Sequence, residues 1–182
     1  MDGNDLLRLL SRWRIEVATV VAVPAVACAQ PTEGAILRWL PLLVAGLALR
    51  TWARGHIDRT CLTTSGPYAR LRHPLYVGSF AIGLALALMT RRPLLAPIYT
   101  LAFVGMYWPK AVREERFLRR RWGAEWERYA AAVGAIVPRR AAAGVLAASG
   151  CRFRWRRVVR HREWKTWLGA VALVAVLWLR AG

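Results

Sequence analysis

Two short stretches of this chain hold side chains that could do chemistry. GPYARLRHPLYVGS, from Gly66 to Ser79, packs two prolines, two tyrosines, a histidine and two arginines into fourteen residues, then runs straight into the apolar string FAIGLALALM. REERFLRRRWGAEWERYAAAVGAIVPR, from Arg113 to Arg139, sets Glu114 and Glu115 side by side in a chain with only 10 acidic residues against 28 Lys and Arg. The first stretch offers donors on a conformationally restricted loop, and the second offers carboxylates that accept hydrogen bonds or protons. A polar loop pressed against an apolar segment has to be explained by the elements that carry it.

Those elements read as membrane helices. The chain is 57% hydrophobic yet has a net charge of +18, and its apolar residues are gathered into blocks. No nucleic-acid motif accompanies the charge, so the arginines are expected to anchor loops at anionic headgroups, each contributing about 1 kcal/mol near such a surface. The blocks run from Ile15 to Ala29, Ala35 to Ala53, Leu75 to Met89, Leu94 to Trp108 and Trp164 to Leu179. Several are shorter than the roughly 20 residues of a full crossing and need their flanks or snorkelling arginines to complete it. The expected fold is therefore an all-α integral membrane protein of about five transmembrane helices.

Arginine placement orients it. Arg8, Arg12 and Arg14 precede the first span, and Arg50, Arg54, Arg59, Arg70 and Arg72 lie around the loop between the second and third. Residues 109–163 are equally rich, whereas QPTEGA after the first span has none. By the positive-inside rule the N-terminus and both chemical stretches face the cytoplasm. The tight TRRP turn, with Arg91 and Arg92 on the opposite side, makes spans three and four a helical hairpin, with Pro93 suited to the first turn of the returning helix. Beyond it, Leu118, Trp122, Trp126, Tyr129 and Val133 recur at helical spacing, which predicts a cytoplasmic interfacial helix with this stripe turned toward lipid.

The ordered set GPYARLRHPLY, a hairpin-length gap, Glu114–Glu115, then Gly123, Tyr129, Val133 and Pro138 resembles the isoprenylcysteine carboxyl methyltransferase family and its bacterial phospholipid methyltransferase-like relatives. That family carries GPYxxxRHPxY, a Glu-Glu pair and an FGxxYxxYxxxVP-like tail, and the likeness covers about residues 46–138. Trp122 and Trp126 stand where Phe and Tyr are commoner, and VGAIVP replaces the usual VP pair. The chain also continues past this tail into a basic segment and a fifth apolar block.

The resemblance implies a membrane methyltransferase that uses S-adenosyl-L-methionine on the cytoplasmic side. The implied cofactor-binding residues are Gly66, Tyr68, Arg72, His73, Pro74, Leu75, Tyr76, Glu114 and Glu115, and the implied catalytic pair is Arg113 and Glu114. Arg72, His73 and loop N–H groups suit the cofactor's carboxylate, a glutamate suits its ammonium or ribose, and Tyr68 and Tyr76 suit its ring. The implied acceptor is a lipid or isoprenoid, with carboxylate O-methylation favoured because an ionised carboxylate needs no general base; Arg113 would orient it. An amine or phenol acceptor would need a base, and the glutamates are the nearby candidates. Anionic membrane lipids are the other expected partners, no nucleic acid is expected, and the sequence does not indicate an oligomeric state.

Two other readings fit the same residues: a sterol-reductase-like enzyme using NADPH, and a non-enzymatic membrane protein that recruits anionic lipid. Residues 1–140 are expected to form the methyltransferase domain, 141–163 a basic linker and 164–182 a C-terminal transmembrane helix. The high Ala and Arg content points to a high-GC bacterium and hence to its inner membrane. Cys28, Cys61 and Cys151 show no CxxC pairing or ligand spacing, which predicts neither disulfide nor metal site. Gly46, Gly78 and Gly83 are expected to flank a gap between spans two and three through which an apolar tail could reach the site.

Overall fold

The computed structural model describes residues 28–58, 60–139 and 151–182. The first expected span, Ile15–Ala29, lies almost wholly outside the described residues, as does the connector 141–150. Among the described residues the chain is all helical: α1 (Glu33–His56), a 3-10 turn (Gly66–Ala69), α2 (Pro74–Met89), α3 (Leu95–Trp122), α4 (Ala124–Ala132), α5 (Trp155–Arg160) and α6 (Trp164–Leu179). Among the described residues one helix, α1, is both long and apolar enough to cross a membrane, and α2 and α6 are shorter apolar helices. Thr32 starts α1 by accepting the Ala35 N–H at 3.3 Å, and Glu33 sits at the positive end of the helix dipole.

The centre is a three-helix core. Ile36, Leu43 and Leu47 of α1 pack with Ile82, Ala85 and Met89 of α2 and with Ala170 and Leu177 of α6. The α1–α2 contact is backbone on backbone: a Cβ at Gly46 would lie 2.8 Å from the Gly78 carbonyl oxygen, and one at Gly78 would lie 2.9 Å from that of Gly46. The expected gap beside these glycines is thus closed, because the missing side chains bring the helices together. Gly83 serves a similar end on the other side of α2, where a Cβ would meet the Tyr99 ring at 2.3 Å.

α3 sits differently. It buries no residue completely and is held to α2 by rings: Phe80 lies 5.8 Å from Tyr99 and 5.2 Å from Phe103, and Tyr76 lies 5.2 Å from Tyr107. Its outward apolar side chains are open, Leu101 being 74% exposed. The helix does not end where its apolar block ends. Arg, Glu and Leu are good helix formers, so it continues through Glu114 and Glu115 to Gly123, whose φ of +48° suits glycine.

That continuity corrects the expected separate interfacial helix. Residues 113–122 belong to α3, and only Ala124–Ala132 forms the short α4. The stripe is not turned to lipid either: Trp126, Tyr129 and Val133 are buried against Leu62 of the loop after α1, with Leu118 and Trp122 packed alongside. Packing against this loop removes the apolar area of the stripe from water within the protein itself.

The C-terminal segment is fastened to α1 by charge and by sulfur. Glu163, just before α6, is 2% exposed and accepts from Arg50 Nε at 2.7 Å and from Arg54 Nε at 3.3 Å. Arg50 also donates to Ser79 of α2, so one guanidinium joins three helices. A buried carboxylate survives only with such partners. Cys61 and Cys151 form a disulfide, with Cα atoms 6.6 Å apart across 90 residues of sequence. This overturns the expectation of no disulfide, which rested on local spacing and could not register a contact made only by the fold.

Candidate active site

Backbone geometry shapes the motif loop before any side chain acts. Gly66 opens the 3-10 turn with φ +62°, and a Cβ there would lie 2.5 Å from the His56 ring. Conformation and space therefore both require glycine. Residues 70–73 are then clamped by the tail after α4: Arg72 N donates to Gly134 O at 2.9 Å, His73 N to Ala135 O at 3.1 Å, and Arg139 N to Arg70 O at 3.1 Å. The Tyr129 hydroxyl donates to the Tyr68 carbonyl at 2.9 Å. Pro74, lacking an N–H, begins α2, and the Leu75 carbonyl one residue on accepts from the Ser79 hydroxyl at 2.7 Å.

α3 brings its carboxylates to this loop. Glu115 Oε1 accepts from His73 Nε2 at 2.9 Å and lies 3.2 Å from Arg72 Nη2. A carboxylate only accepts, so Nε2 of the buried His73 carries the proton. The Tyr76 hydroxyl donates to Glu114 Oε2 at 2.6 Å, and its ring stacks on His73 at 5.3 Å and 9°. Arg72 also donates from Nη1 to Ala130 O at 3.2 Å and lies 5.9 Å above the Trp126 ring. Its Nε is buried with no hydrogen-bond partner among the described residues. Beside it is a cavity of about 310 Å³ lined by Arg72, Arg139, Ala130 and residues 133–137.

Two tyrosine hydroxyls are held neutral around this cluster. Burial, followed by the charge of Glu114, pushes Tyr68 above its ordinary range. Burial likewise raises Tyr129, against the opposing pull of Arg72. Both are donors at physiological pH. The arrangement supplies cationic donors, carboxylate acceptors and stacked rings within one small volume, which suits a zwitterionic or cationic ligand with a planar part.

The residues singled out from sequence divide in two. Arg72, His73, Tyr76, Glu114 and Glu115 meet directly, whereas Gly66, Tyr68, Pro74 and Leu75 shape and border the loop. Arg113 is exposed on α3, and no hydrogen bond or ion pair joins it to the loop among the described residues. Sequence reasoning assigned no site role to Trp126, Tyr129 or Lys110. The first two were visible as part of the stripe and of the motif tail, without a role in the site. Lys110 lies one helical turn before Glu114, a spacing that places both on the same face, and its Nζ stands 5.2 Å from the Tyr76 ring centroid and 5.7 Å from that of Tyr107.

Comparison with known proteins follows the same residues. The model of the phospholipid methyltransferase family matches residues 42–125. A nickel-cobalt-cadmium resistance protein of Alcaligenes xylosoxydans xylosoxydans is 35% identical over 135 residues, covering 70% of this chain and 63% of that protein. A probable protein-S-isoprenylcysteine O-methyltransferase of Oryza sativa subsp. japonica is 32% identical over 106 residues, 58% of this chain and 56% of its own. A cobalt-zinc-cadmium resistance protein of Cupriavidus metallidurans is 37% identical over 110 residues, 57% and 50% respectively. The match thus spans less than two thirds of each relative's length. No solved structure matches. Residues 42–125 run from within α1 into α4 and contain the whole loop and both glutamates, and over that length this chain resembles the phospholipid methyltransferase family.

Proposed function

We propose that this chain is an integral membrane methyltransferase that uses S-adenosyl-L-methionine and acts on a lipid or isoprenoid acceptor. The observation that carries the reading is the joining of the RHPLY loop to the Glu-Glu pair, Arg72 and His73 on Glu115 and Tyr76 on Glu114, at the end of apolar helices. In the bilayer α1, α2, the apolar half of α3 and α6 would be spans. By their arginine flanks, the N-terminus and site face the cytoplasm of a bacterial inner membrane.

The donor set fits the cofactor. Arg72, whose Nε is buried without a partner among the described residues, would hold the α-carboxylate, since the Arg72 and His73 N–H groups are already taken by the Gly134 and Ala135 carbonyls. The outer carboxylate, Glu114, would take the ammonium or ribose hydroxyls, and Tyr68 and Tyr76 would flank the ring. The cofactor, when bound, supplies a methyl group on a sulfonium sulfur. The protein's part in such a displacement is alignment and exclusion of water. His73 and Arg72 fix Glu115, Tyr76 fixes Glu114, and the clamp from residues 134–139 holds the loop against them. With a carboxylate acceptor no proton needs to move. With an amine acceptor Glu114, exposed and held by one tyrosine, is positioned to take it.

The test is a titration of detergent-solubilised protein with S-adenosylmethionine, its demethylated product and NADPH, followed by incubation with lipid extract and methyl-labelled cofactor. Binding of the first two with label in a lipid product is the expected result. Response to NADPH alone would establish a reductase, and silence with all three would leave an anionic-lipid-binding protein.

A further inference from the structure

α3 carries no charge from Leu95 to Pro109, and Lys110 is the first ionised side chain met from its apolar end. An ammonium at the end of an apolar block stands where the anionic group of a lipid would meet it. Here it is half-buried and stands over the faces of Tyr76 and Tyr107. Those two rings end a continuous file: Tyr107 lies 4.0 Å from Phe103, Phe103 5.2 Å from Phe80, and Phe80 5.8 Å from Tyr99. The file follows the seam between α2 and α3, where α3 buries nothing completely, whereas the α1–α2 seam is shut by Gly46 against Gly78. One turn beyond Lys110, Glu114 accepts from Tyr76, and the next residue, Glu115, accepts from His73. The order along the helix is therefore apolar rings, a cation, then the carboxylates of the site.

We infer that Lys110 is a positioning residue that seats the anionic head of a lipid acceptor, whose chain lies along the rings of the α2–α3 seam. The inference rests on the membrane methyltransferase reading and gives the acceptor's route a different place from the α1–α2 seam. An anion stopped at Lys110 lies one helical turn from Glu114, beside the site and outside the Arg72–His73–Glu115 cluster. The shared chemistry is an anionic group on an alkyl chain, whether a carboxylate or a phosphate.

The test is native mass spectrometry of the detergent-solubilised full chain with palmitate, dipalmitoyl phosphatidate or hexadecanol, for the parent and for Lys110→Met, Lys110→Gln, Lys110→Arg and Arg116→Gln. The parent should retain an anionic lipid over hexadecanol by about tenfold, the order of one charge-assisted contact. Lys110→Met and Lys110→Gln should abolish that preference, and Lys110→Arg and Arg116→Gln should keep it. Gln, of similar length and polar, guards against loss through misfolding. Preference for palmitate alone, phosphatidate alone or both would each support the seat and identify its anion. Retention of the preference in both neutral variants, or equal loss in Arg116→Gln, would overturn it. S-adenosylmethionine titration of the same samples should give parent-like affinity for the Lys110 variants. A parent that binds no cofactor sinks the methyltransferase reading, while the lipid comparison still judges Lys110.

Discussion

Glu115 and Glu114 are adjacent but differently held, and their neutral variants should separate. Glu115→Gln replaces a carboxylate shared by a guanidinium and an imidazole. Loss of charge-assisted bonds of about 1.5–3 kcal/mol each would weaken S-adenosylmethionine about tenfold or more through disorder of the loop. Glu114→Gln, which loses the charge that would meet the cofactor's ammonium but leaves the Arg72–His73 pairing intact, should also weaken the cofactor about tenfold while keeping the loop ordered; calorimetric titration with a thermal melt distinguishes them, and unchanged affinity in both would remove the pair from the site. Asp58 gives a pH test. Hydrogen bonds from Thr60 hold its carboxyl below the ordinary range, with Arg157 adding to the effect. A lowered folded pKa contributes stability above the unfolded value near 4, lost as pH falls through the folded one. The melting gap between parent and Asp58→Asn should therefore be present at pH 6 and close on acidification. These pairings were legible as an ordered pattern of types, but which nitrogen meets which oxygen was not, because that depends on the 134–139 clamp.

Among the elements, apolar runs were enough to find helices: Ala35–Ala53 falls inside Glu33–His56, and Trp164–Leu179 coincides with α6. The end of α3 was missed because polarity changes at Pro109 while helix propensity does not. Lipid-facing and core-facing stripes share one period, so Trp126 and Tyr129 could not reveal Leu62 as their partner. The glycines misled for a related reason, since a missing side chain reads equally as a gap or a contact. Gly78→Leu should accordingly destabilise the protein by about 1–3 kcal/mol through overpacking against Arg50 and Gly46. It should reduce methylation of long and short acceptors alike; selective loss for long ones would restore a passage there. Cys61→Ser should cost about 2–5 kcal/mol by releasing the 90-residue closure. A dithiol reductant should lower the parent's melting temperature and leave that variant's unchanged.

At the scale of the whole molecule, the C-terminal segment is tied to the motif side of α1 at Glu163, Cys151 and Phe153, whose ring packs 5.5 Å from His56 beneath Gly66. α1, α2 and α6 thus form a fixed body, and α3 is the member joined mainly by rings. Its 28 residues rise about 42 Å at 1.5 Å each, with Pro109 inside the helix just before Lys110. Proline removes one rung of the hydrogen-bond ladder and allows a bend there. The helix nonetheless runs unbroken through Pro109, so the apolar half, which the proposed function sets among acyl chains, is continuous with the half that presents Glu114 and Glu115. A bilayer too thin or too thick for the first tilts it at modest cost, and the tilt is delivered to the carboxylates as a displacement. On the proposed function bilayer thickness then becomes a control variable for catalysis: in vesicles of graded acyl length the turnover rate should pass through a maximum, whereas a flat profile would mean that the bend at Pro109 absorbs the tilt and leaves the carboxylates in place.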